Sequence, residues 1–332
     1  MVSSKDVAKQ AKVSQATVSR VLNTPEKVKK NTRNKVLNVI EQLNYRPNSI
    51  ARSLVNKKTQ SIALISGPLH NSFFAETTTS IVNHAKSKGY NVNVHFEDIH
   101  HNSSIYKDVF NNKVDGIILS SIYYEDKIYE ELKKQDVPFI MFNRRHKQLG
   151  NYVEMNNFQA GQMAANHLLD LNHKDIVWIG GSLSVTTFLE RHEGFKYALK
   201  QRRIALEEKN LITTDTSSEN IFFEIERIIS RKNTPSAIFA ATDSIAIYII
   251  DILRRKGYSV PEDISIIGVD NVKLSRHSSF SLSTVGTVSN DNLGKRAIRH
   301  LINLIEENNK ELGVIQETIK TNLFIRDTTR RL

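Results

Sequence analysis

The sequence predicts an α/β protein with an all-α head, in which a helix-turn-helix precedes two lobes built on doubly wound parallel sheets. Three observations carry this. Residues 3–23, SSKDVAKQAKVSQATVSRVLN, hold two short helical patterns with almost nothing between them. Residues 1–58 hold 13 Lys and Arg against 3 Asp and Glu, a net of +10 in a chain whose total is +11. From Ser61 onward, short apolar runs alternate with helical patterns, twice over. Strict alternation of β and α implies parallel sheets covered by helices, and two such series imply two lobes. Ligands of such sheets bind beyond the carboxyl ends of the strands, so the cleft between the lobes is the expected pocket.

In the head, Ser3 with Asp6 three residues on is a capping-box pattern, and Val7, Ala8 and Ala11 line one face of the first helix. Ser14 is a good N-cap for a second helix, whose apolar stripe is Val18, Val21 and Leu22. Its other face is left with Gln15, Ala16, Thr17, Ser19, Arg20 and Asn23. Two helices joined by a tight turn, the second polar outside, match a reader of the DNA major groove. Such turns often hold Gly, and here Lys12 stands in its place. A third helix, about residues 31–44, closes the small core with Val36, Val39, Ile40 and Leu43. Lys27, Lys29, Lys30, Arg33 and Lys35 surround its start, where the helix dipole disfavours cations; nearby phosphates reverse that sign. Charge this concentrated is what a phosphate-facing surface requires.

Pro47 ends the third helix, and Asn48 can cap a two-turn helix carrying Ile50, Ala51, Leu54 and Val55, too short to be stable alone. The first lobe then reads as strands 61–66, 90–96, 115–121 and 138–143, with helices at 73–88, near 103–112 and near 126–135. The second reads as strands 175–181, 237–243 and 264–271, with helices 157–171, 187–203, 219–231 and 244–256.

At 332 residues, 39% hydrophobic and 24% charged, the chain is long enough for large cores and is ordinary in composition. It has no Cys, which excludes disulfides, thiolate metal sites and a cysteine nucleophile. Neither a signal peptide nor a membrane span is read, so a cytoplasmic protein with no membrane partner is expected. No GxGxxG follows the first strand, and no Walker, HExxH or GxSxG motif occurs. His100 and His101 are adjacent on a loop, poor spacing for one metal. No catalytic residue, metal or cofactor is expected. A solute-binding transport component fits the lobes alone, but not the basic head.

The order of head, Pro-Asn-led linker helix and two α/β lobes resembles the lactose-repressor family of bacterial transcription regulators. The resemblance spans the chain. It rests on DVAKQAKVSQATVSRVLN and TRNKVLNVIEQLNYRPNSIARSL, with DGIIL, ERHEGF, GYSVPEDISIIGVDN and LSTVGTVSNDNLGKRA in support. It implies a homodimer on palindromic double-stranded operator DNA, with lobes like those of periplasmic sugar-binding proteins. The implied domains are a helix-turn-helix over 1–46, a hinge helix and linker over 47–59, and an effector-binding core over 60–332. Three crossovers, near 154–157, 285–288 and 315–320, would divide that core into an N-lobe (about 60–154 and 288–314) and a C-lobe (about 155–287 and 315–332).

By position, Gln15, Ala16 and Arg20 match residues that read bases, Arg20 with a bidentate contact to guanine. Ser14, Thr17, Ser19 and Asn23 complete the DNA face, Thr17 and Ser19 on phosphates. Asn48, Arg52 and Leu54 belong to the hinge, Leu54 as a wedge in the minor groove. The resemblance places Phe73, Arg144, Arg191, Asp243 and Asp270 around the effector, with Phe73 stacking on a ligand ring. Asp243 has the alternative of capping helix 244–256, Arg191 of pairing with Glu190 or Glu193 at the surface, and Asp270 of holding a turn. Asn156 and Asn157 stand where an Asp-Asn pair is usual, Asn172 where Gly is, and Asn271 where Asp is. The implied function is an allosteric repressor of a carbohydrate-use operon, controlled by a small sugar-like effector. The alternatives are a non-sugar ligand or a protein corepressor on the N-lobe.

Overall fold

The computed structural model describes residues 2–45, 58–96, 102–288, 292–306 and 313–332. They fall into two compact units, residues 1–59 and 60–332. The predicted hinge residues Asn48, Arg52 and Leu54 lie outside the described residues.

The first unit holds α1 (Ser4–Ala11), α2 (Gln15–Asn23) and α3 (Lys30–Gln42). The capping box is formed: Ser3 accepts from the Asp6 amide and the Asp6 side chain accepts from the Ser3 amide. That pairing holds the Asp6 carboxyl below its ordinary value. The Ser14 hydroxyl accepts from the Thr17 amide at 3.1 Å. Lys12 takes the left-handed conformation that the turn needs (φ 50°), one that costs a non-glycine residue about 1–2 kcal/mol. Val7, Ala8, Ala11, Val18, Val21, Val36 and Val39 form the core. The side chain of Lys29, the N-cap of α3, makes no capping hydrogen bond.

The second unit contains two six-stranded sheets. The first runs β2 (Asn91–Phe96), β1 (Ser61–Ser66), β3 (Gly116–Leu119), β4 (Phe139–Phe142), β5 (Tyr152–Met155) and β11 (Gln316–Ile319), all parallel. The second runs β7 (Leu211–Thr213), β6 (Ile176–Gly180), β8 (Ala237–Ala240), β9 (Ser265–Asp270), β10 (Ser283–Gly286) and β12 (Asn322–Phe324). Each begins in the order 2-1-3-4-5 of doubly wound folds, whose ligands sit at the carboxyl ends near the reversal of strand order.

In the first lobe, α4 (Ser72–Ser87) and α11 (Leu293–Glu306) pack on one face of the sheet through Phe74, Ile81, Leu301 and Ile305. On the other face, α5 (Asn102–Asn111) and α6 (Ile128–Lys134) carry Tyr106, Val109, Tyr129 and Leu132. In the second lobe, α7 (Asn157–Asp170) and α8 (Thr186–Gln201) cover one face, and α9 (Ser218–Ile229) and α10 (Asp243–Arg255) the other.

Two details differ from the sequence reading. The last crossing falls at the end of the expected 315–320 segment, so the lobe boundary drawn at 315 moves: Gln316 to Ile319 pair in register with Tyr152 to Met155, and the chain changes sheets at Lys320 and Thr321. Strand β12 is antiparallel to β10. The chain reaches it from β11 of the other sheet, through Lys320 and Thr321, and not by a helical crossover within the second sheet.

Candidate functional sites: the recognition face and the interlobe cleft

On α2, the apolar stripe is turned into the head core while Gln15, Ala16, Ser19, Arg20 and Asn23 are exposed and Thr17 is half-buried. Ser14, itself exposed, shares a hydrogen bond with Thr17 (2.9 Å). The Asn23 amide donates to Ser19 (3.2 Å), and the Gln15 amide donates to Ser4 of α1 (2.8 Å). Cap and turn therefore fix the second helix against the first, with Arg20 on the open face.

The cleft is built around Arg191 on α8. Its backbone sits against α7 because Gly161 and Gly194 stand at the crossing: a Cβ at Gly161 would lie 2.0 Å from the Arg191 carbonyl oxygen, and one at Gly194 2.1 Å from that of Phe158. Arg191 is fully buried. Its Nε donates to Asn157 Oδ1 (3.0 Å), Nη1 to the Ala241 carbonyl (2.6 Å) and Nη2 to Asp270 Oδ1 (2.8 Å). The surface pairing with Glu190 or Glu193 is therefore absent from this structure.

Asp270 ends β9 with φ 127° and Asn271 follows with φ 55°, conformations that cost non-glycine residues of order 1–3 kcal/mol each. Three contacts hold the turn. The Val272 amide donates to Asp243 Oδ2 (3.0 Å), the Asn271 amide to Thr284 Oγ1 (3.4 Å), and Arg326 Nη2 to Asn271 Oδ1 (2.7 Å). Burial pushes the Asp270 carboxyl up to about 6, against the pull of Arg191.

Asp243 departs from expectation. It is wholly buried, and its second oxygen accepts from Thr284 Oγ1 at 2.5 Å. The cap of its helix is Thr242. Both carboxylate oxygens are engaged inside the protein, and Asp243 is absent from the walls of the cleft, whereas Thr242 and Ser244 on either side line it. Burial and the neighbouring Asp270 push its carboxyl up to about 7.

Arg191, Asp270, Phe73 and half-buried Arg144 line a cavity of about 80 Å³, with Asn71, Asn143, Thr187 and Tyr248. Phe73 and Asp270 also border a second cavity of about 400 Å³, reached by Glu76, Lys273, Arg276 and Asn292. Four of the five expected effector residues are thus brought together. Sequence reasoning missed Asn71, Asn143, Thr187 and Ser244, which join the lobes: Ser244 donates to Asn71 Oδ1 (3.0 Å) and Thr187 to the Asn143 carbonyl (2.7 Å). Their signal was position alone, beyond the carboxyl ends of strands. Among the departures, Asn156 caps α7 by accepting from the Gln159 amide (2.9 Å) and does not line the cleft. A carboxylate lost there is a change of cap. Asn172 holds φ 71°, a conformation that Asn tolerates better than most residues.

A helix-turn-helix head ahead of two α/β lobes that enclose a polar cleft defines a DNA-binding regulator with a periplasmic-binding-protein-like sensor. Residues 4–48 match the lacI family of bacterial regulatory proteins, and residues 165–329 match the periplasmic binding protein-like domain. The probable HTH-type transcriptional repressor ExuR of Bacillus subtilis (strain 168) is 33% identical over 339 residues, covering 100% of this chain and 99% of that protein. The chain belongs to the lacI family of bacterial regulatory proteins, and its homologues are transcriptional repressors. The lac repressor dimer bound to operator and the anti-inducer ONPF shares the fold over 99% of both chains, with a TM-score of 0.85 at 24% identity. A lacI-family regulator from Enterococcus faecium with bound ribose aligns over 82% of this chain and 99% of its own, with a TM-score of 0.72 at 26% identity. Among the described residues no helix is long and apolar enough to cross a membrane.

Proposed function

We propose that this chain is a cytoplasmic, homodimeric repressor of a carbohydrate-use operon. A small sugar or sugar derivative in the interlobe cleft controls its binding to double-stranded operator DNA through the exposed face of α2. The observation that carries the reading is the buried Arg191–Asp270 pair at the wall of a cavity lined also by Arg144, by amides and hydroxyls, and by the aromatic rings of Phe73, Phe188 and Tyr248. Carboxylates and amide oxygens accept sugar hydroxyls, guanidinium groups and amide nitrogens donate to sugar oxygens, and Phe73 offers an apolar face. The ribose bound to the E. faecium relative supports the ligand class. Phe73, Arg144, Arg191 and Asp270 are assigned to effector contact, and Asp243 to holding the turn that aims Asp270.

A thermal-shift screen of pentoses, hexoses, sugar acids, sugar phosphates and nucleobases tests this. A ligand at 100 times its Kd stabilises the folded state by about 2.7 kcal/mol. A sugar that raises Tm in the wild type but not in Asp270→Asn is the expected result. Response to a nucleobase and to no sugar overturns the ligand class.

A further inference from the structure

Beside the cleft, but absent from its walls, lies a second charged cluster. Arg145 follows β4 in the first lobe, Glu154 lies on β5 in the same lobe, and Glu190 lies on α8 in the second. The Arg145 amide donates to Thr186 Oγ1 of α8 (3.1 Å), its Nε donates to Glu154 Oε1 (2.9 Å), and its Nη2 donates to Glu190 Oε1. Their side chains are 20%, 5% and 24% exposed, so one guanidinium faces two carboxylates in a place largely closed to water. Glu154 Oε2 is buried without any hydrogen-bond partner.

Burial raises the Glu190 carboxyl, and Arg191, among the described residues, draws it down by less. Tyr152 lies under the Arg145 guanidinium (5.9 Å). His146 stacks on Tyr129 at 4.2 Å, and burial holds its pKa below the ordinary value. Arg191, next to Glu190, is engaged by Asp270. On β11, beside β5, Glu317 is engaged by Arg296 and His300. Two carboxylates sharing a poorly solvated site resist joint ionisation. Burial, with Glu190 close by, pushes Glu154 up to about 7, and burial pushes Glu190 up as well.

We propose that Arg145, Glu154 and Glu190 form a latch between the lobes that closes with uptake of a proton, so that closure of the cleft depends on pH whatever molecule fills it. Opening carries Glu190 away from Glu154 and leaves Arg145 to neutralise Glu154 alone. Closing returns the second carboxylate, and a proton compensates it. Acid therefore favours the closed arrangement, and alkali favours the open one.

The chain has no native cysteine, so a spin label on each lobe is unambiguous. Exposed Lys88 in the first lobe and Lys232 in the second are replaced by Cys in the full-length protein, and label separation is measured by pulsed electron resonance at pH 6 and pH 8 without ligand. In the wild-type background the separation is expected to lengthen at pH 8. In Glu154→Gln and Glu190→Gln it should stay short at both values, and in His146→Asn the shift should persist. Loss of the shift in one Gln variant alone also supports the latch and assigns the proton to that carboxyl. Identical distributions at the two pH values in the wild type overturn the proposal. So does a shift kept by both Gln variants or abolished by His146→Asn.

Discussion

Arg191 has three sets of donors and each meets an acceptor inside the protein. Removing it would strand Asp270, and breaking a buried pair from one side costs about 3–5 kcal/mol; an Ala variant would lose stability along with any ligand response. Asp270→Asn is the gentler probe for that reason. Glu154 carries the opposite sign of effect. Its carboxyl moves from an ordinary 4.5 to about 7 on burial. Below pH 4.5 the folded and unfolded chains both hold the proton. Between 4.5 and 7 the unfolded chain releases it first, so stability falls across that window by on the order of 3 kcal/mol. Glu154→Gln removes this slope. Its urea midpoint should match that of the wild type near pH 5 and exceed it at pH 8; an equal fall in both proteins would remove Glu154 as the source. Arg191 and Asp270 were legible because each sits in a recognisable segment, ERHEGF or GVDN. Arg145 and Glu154 were not, since their meaning arises only when a loop meets a strand 9 residues on and a helix 45 residues on.

The elements were legible in proportion to the length of their pattern. Helices such as Ser72–Ser87 and Thr186–Gln201 came within a residue or two of their observed ends. Leu211–Thr213 escaped because a three-residue edge strand with one buried side chain leaves no alternation to detect. Strands β5, β10 and β11 were seen only as crossovers and β12 not at all, since three- or four-residue strands between lobes carry no periodic signal. The crossing of α7 and α8 could not be read at all, because a glycine in a helical pattern does not name the backbone it allows to approach. Gly161→Ala tests that crossing. Its Cβ would meet backbone rather than a yielding side chain, and overpacking of this kind costs about 1–3 kcal/mol. A lowered urea midpoint together with a weakened sugar-induced Tm shift is expected, because the displaced helix carries Arg191. Loss of stability with the full shift retained would show that Arg191 does not depend on the crossing.

For the whole molecule, control of DNA binding by a ligand in the cleft means a coupling free energy, typically 1–3 kcal/mol. Linkage makes it reciprocal: whatever factor the effector imposes on operator affinity, operator DNA must impose on effector affinity. Calorimetric titration of the effector with and without operator, beside gel shifts with and without effector, should return the same factor. Operator affinity unchanged at saturating effector would leave the lobes a passive binding module. The threading of the two lobes has a further consequence, for how the protein is made. The helical head has its whole described core once residue 45 has been synthesised. The first sheet still lacks β11 until residue 319, and the second lacks β12 until residue 324. Domains fold as units during synthesis, the earliest first, so a chain cut short before residue 319 would hold a folded head ahead of an unfinished sensor. Such a fragment would keep the exposed face of α2 and lack the complete sheets that position the cleft.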